Sequence, residues 1–321
     1  MKVVFCGTPE FALPTLKRLA AEKFAIAAVI TQPDRPKGRG LTLTPPPVKV
    51  AAQELGLRVE QPEELRGESG RKLLERFAPE AVVIVGYGQI IPADLLDLPK
   101  HGWINLHASL LPKYRGAAPV NWALMRGETV TGVTTMRIDA GLDTGPILLQ
   151  REEAIREDDT AVTLGQRLAE LGAALMVETL RGLAVGSLIP RPQEHTQATK
   201  APLLKKQHGL IDWRLRAREI YNRVRGLLPW PGAFTTFRDK LCHIWWAQSV
   251  ADSSLSARLE EPVLVSGTLV VEHHRLYVLC GEKTWLRLEE LQLADRKRVA
   301  ARDFINGLRL RTGERFTTPG T

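Results

Sequence analysis

Short apolar runs alternate with amphipathic stretches through the first half of the chain. Val3 to Cys6, Ala25 to Ile30, Ala81 to Val85 and Trp103 to Leu106 are almost wholly apolar, apart from Asn105 inside the last strand. Runs of this kind with no polar face read as strands buried on both sides. Between them, residues 10–22, 47–55 and 69–77 repeat apolar positions at helical spacing. Strands alternating with such helices predict an α/β unit built on a mostly parallel sheet covered on both faces. Residues 131–139 read as a later strand and 160–185 as a long helix that closes the domain. Ligands of such sheets sit beyond the carboxyl ends of the strands, and Asn105 lies at one of those ends.

The pattern changes after residue 186. Gly186, Pro190 and Pro192 open a polar stretch that runs to Lys205 and Lys206 and reads as a linker. Beyond it, 214–228 fits a helix ended by Pro229-Trp230-Pro231-Gly232. Strand-like runs follow at 233–237, 241–249, 263–272, 275–280 and 284–288, then a short helix at 300–308. Closely spaced strands with turn signals predict a small β-barrel. The expected plan is therefore an α/β domain over 1–188, a linker over 189–206 and a barrel over 207–321.

Composition refines this picture. With 321 residues and 44% apolar content the chain can fill two cores. No apolar run approaches the roughly 20 residues of a membrane span, and Met1-Lys2-Val3-Val4 lacks the apolar region of a signal peptide. The cysteines, Cys6, Cys242 and Cys280, are odd in number and far apart. They read as buried thiols of a reducing cytoplasm rather than as a disulfide framework. His273 and His274 are adjacent and would face opposite sides of a strand, so no metal site is expected from them. The net charge is +8, and residues 201–321 hold 20 Lys and Arg against 13 Asp and Glu. That bias suits a polyanionic partner, whose counterions are released on binding, and equally suits a soluble basic surface. Lys205, Lys206, Arg214, Arg216, Arg218, Arg223 and Arg225 are the candidate phosphate contacts there.

Phosphate-binding loops are a poor fit. Gly7-Thr8-Pro9 follows the first strand without the three-glycine spacing of a dinucleotide fold, and Gly38-Arg39-Gly40 has two glycines and no strand before it. These departures argue against a nicotinamide enzyme.

The remaining chemistry is concentrated in Asn105, His107 and Asp143. Asn105 and His107 are two apart, which on a strand puts them on one face. An amide can stabilise a developing oxyanion. An imidazole is a base near neutral pH, and a carboxylate beside it fixes the ring and favours its charged form. These are the parts needed to move an acyl group onto an amine. Singly, each residue has a plainer reading: a turn-capping Asn, a hydrogen-bonded His, an Asp in an Asx-turn. Which of His107 and Asp143 moves the proton first is not fixed by spacing.

Asn105 to Pro112, with Lys113-Tyr114-Arg115-Gly116-Ala117-Ala118-Pro119 and Gly141-Leu142-Asp143-Thr144-Gly145, resembles the signature of the folate-dependent formyltransferases. Gly7-Thr8-Pro9-Glu10-Phe11-Ala12, Thr31-Gln32-Pro33-Asp34-Arg35-Pro36 and Pro229-Trp230-Pro231 extend the likeness over about residues 3–310, toward members that act on charged tRNA. The resemblance implies a Rossmann-like, mostly parallel sheet (the formyltransferase fold) followed by an OB-like small β-barrel that binds tRNA. It implies 10-formyltetrahydrofolate as co-substrate, initiator methionyl-tRNA as partner, no metal, no membrane, and a monomer in the cytoplasm. On the matching positions it implies Asn105, His107 and Asp143 as the catalytic trio. Ser109, Leu110, Leu111 and Pro112 would line the folate site, and Gly86, Tyr87, Gly88, Gln89 and Ile90 would meet the pterin through backbone groups. Arg35, Lys37 and Arg39 would belong to the loop that engages the acceptor stem, with Lys205, Lys206 and Arg214 on phosphates further along. One departure stands out: Leu41-Thr42 follow Gly40, where the family often carries a lysine.

Other readings predict different behaviour. A formyltransferase for a purine precursor or an amino sugar nucleotide has no need of a basic second domain. A non-catalytic RNA-binding relative has no need of all three polar residues. A folate hydrolase would release formate without tRNA.

Overall fold

The computed structural model describes residues 1–37, 42–250 and 265–317. Contacts divide the chain into two compact units. The first comprises Met1–Pro119, Val130–Ala154 and Leu164–Pro202; the second comprises Val120–Thr129, Ile155–Thr163 and Leu203–Thr321. The polar stretch that reads as a linker is thus mostly part of the first unit, up to Pro202. Two short excursions from the first half belong to the second, and nothing in their apolar pattern marks them out.

The strands of the first unit are β1 (Lys2–Gly7), β2 (Ala25–Ile30), β3 (Arg35–Lys37), β4 (Thr42–Thr44), β5 (Val59–Glu60), β6 (Ala81–Val85), β7 (Trp103–His107), β8 (Val130–Arg137) and β9 (Ile147–Ala154). β3 and β4 form a separate hairpin, and the others make one sheet in the order β5-β2-β1-β6-β7-β8-β9. Pairing is parallel from β5 to β7 and antiparallel for β7–β8 and β8–β9. The loop between β8 and β9 is too short for a parallel crossover, so β9 must return alongside β8.

The order of strands reverses at β1, which puts the switch point between β1 and β6, at Gly7 and Val85. Val3, Val4, Phe5 and Cys6 are completely buried, as are Val82, Val83 and Val85, which explains their uninterrupted apolar runs. Burial raises the Cys6 thiol well above its ordinary range, so it stays protonated and inert. The long helix Ala161–Ala184 covers the sheet. A Cβ added at Gly172 would lie 2.5 Å from a Leu106 methyl. Leu106 therefore points at this helix, and the pleat turns Asn105 and His107 to the other face.

In the second unit, β10 (Ala233–Phe237), β11 (Lys240–Val250), β12 (Leu269–Glu272), β13 (Arg275–Leu279), β14 (Trp285–Leu293) and β15 (Val299–Ala300) form an antiparallel sheet in the order β10-β11-β14-β13-β12, with β15 on β14. The end of the chain joins the two edges: Thr317 pairs with Thr236 of β10, and Arg315 pairs with Thr268 next to β12. The sheet is closed into a barrel by residues that sequence pattern leaves unassigned. The strand expected from 263 starts at Leu269, with 263 and 264 outside the described residues, and the run expected at 284–288 continues to Leu293. Helices Ala217–Gly226 and Ala301–Leu308 pack on this core.

Candidate active site

Parallel register pairs Ile84 of β6 with Asn105 of β7. The loop Gly86 to Ile90 and the residue His107 therefore leave their strands at the same level. Asn105 is half-buried, and among the described residues no hydrogen bond occupies its amide.

His107 is buried, and its Nε2 lies 2.9 Å from the carbonyl oxygen of Tyr114. A carbonyl only accepts, so Nε2 carries the proton and Nδ1 is the basic nitrogen of the neutral ring. Nδ1 faces Asp143 Oδ2 at 3.7 Å. That same oxygen accepts from the backbone N–H of Gly116 at 2.8 Å. His107 and Asp143 are thus brought together as the spacing of motifs predicts, and Asn105 shares the strand face of His107.

The loop that carries Asp143 owes its shape to its other residues. Asp139 Oδ1 accepts from Gly141 N–H at 3.0 Å and from the Thr144 hydroxyl at 2.6 Å. The Asx-turn is made by Asp139, which leaves Asp143 available. A Cβ at Gly145 would come within 1.9 Å of the Arg137 carbonyl oxygen, so only glycine lets the loop close on β8. Asp143 itself has φ of 52°, a left-handed conformation that Asp tolerates better than most residues.

Residues 109–112 serve partly as scaffold. Ser109 is fully buried and its hydroxyl donates to the Lys113 carbonyl at 2.6 Å. Leu111 packs in a small cluster with Met136 and Ile147. Thr134 accepts from Leu111 N–H at 3.1 Å and donates to the Ser109 carbonyl at 2.6 Å. Leu110 and Pro112 are the half-exposed members of the stretch. In the neighbouring loop Tyr87 points into the core, and its carbonyl accepts from Thr8 at 2.9 Å and Gln32 at 3.2 Å. Gln89 spends its side chain on Leu65 and Glu63. Gly86, Gly88 and Ile90 remain exposed, Ile90 at 92%. Such an apolar tip beside open backbone is the surface a flat heterocycle can use.

Asp34 precedes the β3–β4 hairpin. Its carboxylate accepts from Gln61 at 2.8 Å and from Lys49 at 2.7 Å, and these partners hold its pKa below the usual carboxylate value. Arg35 is exposed on β3, while Arg39 lies outside the described residues, as does the Lys37 side chain.

In the second unit the basic residues divide into two groups. Arg225 is 2% exposed and donates to the carbonyls of Arg156 (2.9 Å), Glu157 (3.3 Å) and Asp159 (3.4 Å) and to Asn222. Arg223 donates to the His208 carbonyl. Arg214, Arg216 and Arg218 pair with Asp212, Glu282 and Glu157. Arg225 is structural, a correction to its expected phosphate role, because a guanidinium buried against carbonyls cannot reach solvent. Lys205 and Lys206 are exposed, and no carboxylate neutralises either among the described residues. Trp213 stacks on Phe316 in the core, whereas Trp230 is 55% exposed. Trp245 lies against His243, with Arg298 over its ring. Among the described residues no group of His, Cys, Asp or Glu is placed to hold a metal, and no helix is long and apolar enough to cross a membrane.

Residues 1–180 match the family model "Formyl transferase", and 203–309 match "Formyl transferase, C-terminal domain". The methionyl-tRNA formyltransferase of Koribacter versatilis is 52% identical over 317 residues, covering 98% of both chains. The chain belongs to the methionyl-tRNA formyltransferase family. The family enzyme of Solibacter usitatus is 51% identical over 316 residues, again 98% of each chain. Among solved structures, an N-formyltransferase from Helicobacter canadensis, in complex with folinic acid and dTDP-3-aminofucose, superposes with a TM-score of 0.67. It covers 90% of this chain and 98% of its own at 16% identity, a likeness of fold.

Two residues packed around the His107–Asp143 pair carry no signal in the sequence. Gln193 and Thr199 lie in the stretch that reads as a linker, and a polar residue inside a polar run carries no periodic signal. Gln193 bonds the Asp143 carbonyl, and Thr199 bonds Tyr114, the partner of His107.

Proposed function

We infer that the protein transfers the formyl group of 10-formyltetrahydrofolate to the α-amine of methionine esterified to initiator tRNA. The product is N-formylmethionyl-tRNA, for translation initiation. The observation that carries the reading is the His107–Asp143 pair, with His107 buried and held by Tyr114 so that its basic nitrogen faces the carboxylate.

The attacking amine must lose a proton as its bond to the formyl carbon forms. Nδ1 of His107 accepts that proton, and the imidazolium is stabilised by Asp143 at 3.7 Å. The Asn105 amide donates to the oxygen on which charge develops, an interaction often worth about 3 kcal/mol. As the carbon–nitrogen bond to folate breaks, the proton returns to the departing nitrogen, so the enzyme ends unchanged. Leu110, Pro112 and the tip Gly86, Gly88 and Ile90 are assigned to the folate. Ser109, Leu111, Tyr87 and Gln89 shape its walls from behind.

Arg35, Lys37, Arg39, Lys205 and Lys206 are assigned to tRNA phosphates. Arg214 joins them only if it exchanges Asp212 for phosphate. We assign the working form to the cytoplasm as a monomer, since one chain carries both the catalytic pair and the basic surface.

The test is incubation with 10-formyltetrahydrofolate and charged initiator tRNA, followed by mass analysis of the released amino acid. Formylmethionine from initiator and little from charged elongator tRNA is expected. Formate release without tRNA would instead indicate a hydrolase.

A further inference from the structure

The segment Arg191 to Ala201 straps together the two loops that hold the catalytic pair. At one end Arg191 pairs with Ile147, just after the Asp143 loop. At the other, Arg115 N–H donates to the Thr199 carbonyl at 2.8 Å and Ala201 N–H to the Arg115 carbonyl at 2.7 Å. The Thr199 hydroxyl accepts from Tyr114 N–H at 2.8 Å, and Tyr114 is the residue whose carbonyl orients His107.

Gln193 sits between these ends, 5% exposed. Its Nε2 donates to the carbonyls of Asp143 at 2.9 Å and Gly145 at 2.7 Å. Its Oε1 accepts from Arg115 Nε at 3.1 Å and Nη2 at 2.6 Å. Arg115 Nη2 also lies 3.1 Å from His195 Nδ1. Both amide protons and the amide oxygen are used, on partners from both loops. An amide is the one side chain of this size that can donate to two carbonyls while accepting from a guanidinium.

We propose that Gln193 is a positioning residue for formyl transfer, fixing the carboxylate of Asp143 against Nδ1 of His107. The proposal rests on the functional reading above and deepens it. Asp143 is in a left-handed conformation, and its side chain is aimed by two anchors: Gly116 on the carboxylate and Gln193 on the carbonyl. Without the second anchor the loop between Asp139 and Gly145 can turn the carboxylate away. His107 would then lose the charge that stabilises its protonated form, although no atom of Gln193 touches a reactant.

Two variants separate positioning from packing. Gln193→Met keeps length and loses every hydrogen bond. Gln193→Glu keeps the acceptor for Arg115 but faces two carbonyls with no donor. The expected result is a single-turnover transfer rate of the folded enzyme lowered about ten- to a hundredfold in both, with KM for folate and tRNA near wild type. Gln193→Glu should recover part of its rate as pH falls, because a protonated carboxyl regains one donor. A purely structural role would instead lower the melting temperature and leave the transfer rate of the folded enzyme unchanged. Rates within about twofold of wild type in both variants, or losses confined to KM, overturn the proposal.

A readout independent of turnover is the crystal structure of Gln193→Met. The Asp143 carboxylate should move away from Nδ1 of His107, and an unchanged 3.7 Å separation overturns the proposal. If wild type forms no formylmethionine, the functional reading fails, and this structure still decides whether Gln193 sets the pair.

Discussion

Replacing Asp143 by Asn isolates the charge in the His107–Asp143 pair. Asn tolerates the left-handed backbone (φ 52°) of this position, and an amide oxygen can keep the 2.8 Å bond from Gly116 N–H. The loop should therefore hold, and what vanishes is a negative charge 3.7 Å from Nδ1. Two unit charges at that separation interact by about 4–5 kcal/mol at an effective dielectric constant of about 20. The side chains are 7% and 14% exposed, and the aqueous reference also solvates the imidazolium, so the net loss is nearer 2–3 kcal/mol. That corresponds to a rate about 30- to 150-fold slower at the transfer step. The assay is rapid mixing of enzyme and labelled 10-formyltetrahydrofolate with charged initiator tRNA, quenched within one turnover. Folate affinity is measured separately and should be nearly unchanged. A variant that transfers within about threefold of wild type would refute the electrostatic role of Asp143.

Other expectations follow from the same geometry. Gly116→Ala places a Cβ 2.5 Å from the Ala201 carbonyl at a φ of 124°; it should push the strap away and cut transfer sharply while the second unit melts normally. Arg225→Met strands the carbonyls of Arg156, Glu157 and Asp159 and should cost about 2–4 kcal/mol of stability, measured by denaturant unfolding. His208 and His243 have pKa values lowered chiefly by burial, so below about pH 6.5 the unfolded chain binds protons that the folded chain resists. Stability should be full above that pH and decline as pH falls toward the folded values, and His243→Gln should flatten the decline in a thermal-melting series. Converting Lys205 and Lys206 to Gln should weaken tRNA binding and reduce the slope of log affinity against log salt by about one to two.

The sequence shows the sheet clearly because its parallel strands are buried on both faces and written as unbroken apolar runs. Val3 to Cys6 and Ala81 to Val85 carry their own signal. The strand Trp103–His107 is legible for a different reason: Asn105 and His107 are polar residues at a two-residue spacing inside an apolar frame. What stays hidden depends on long-range pairing. β9 carries polar residues outward, the 315–317 closure of the barrel is too short for a pattern, and Arg225 looks like any surface arginine until its carbonyl partners converge on it. Gln193 is the instructive case. Prolines and polar residues around it have the composition of a linker, yet the backbone there pairs with two other segments and its amide is almost fully enclosed.

The most direct measurement follows the formyl label itself. In a single turnover with labelled 10-formyltetrahydrofolate, the label should move to the amino nitrogen of methionine on initiator tRNA, and His107→Ala should leave it on the folate. Label released as formate, or transfer that continues undiminished in His107→Ala, would contradict the account.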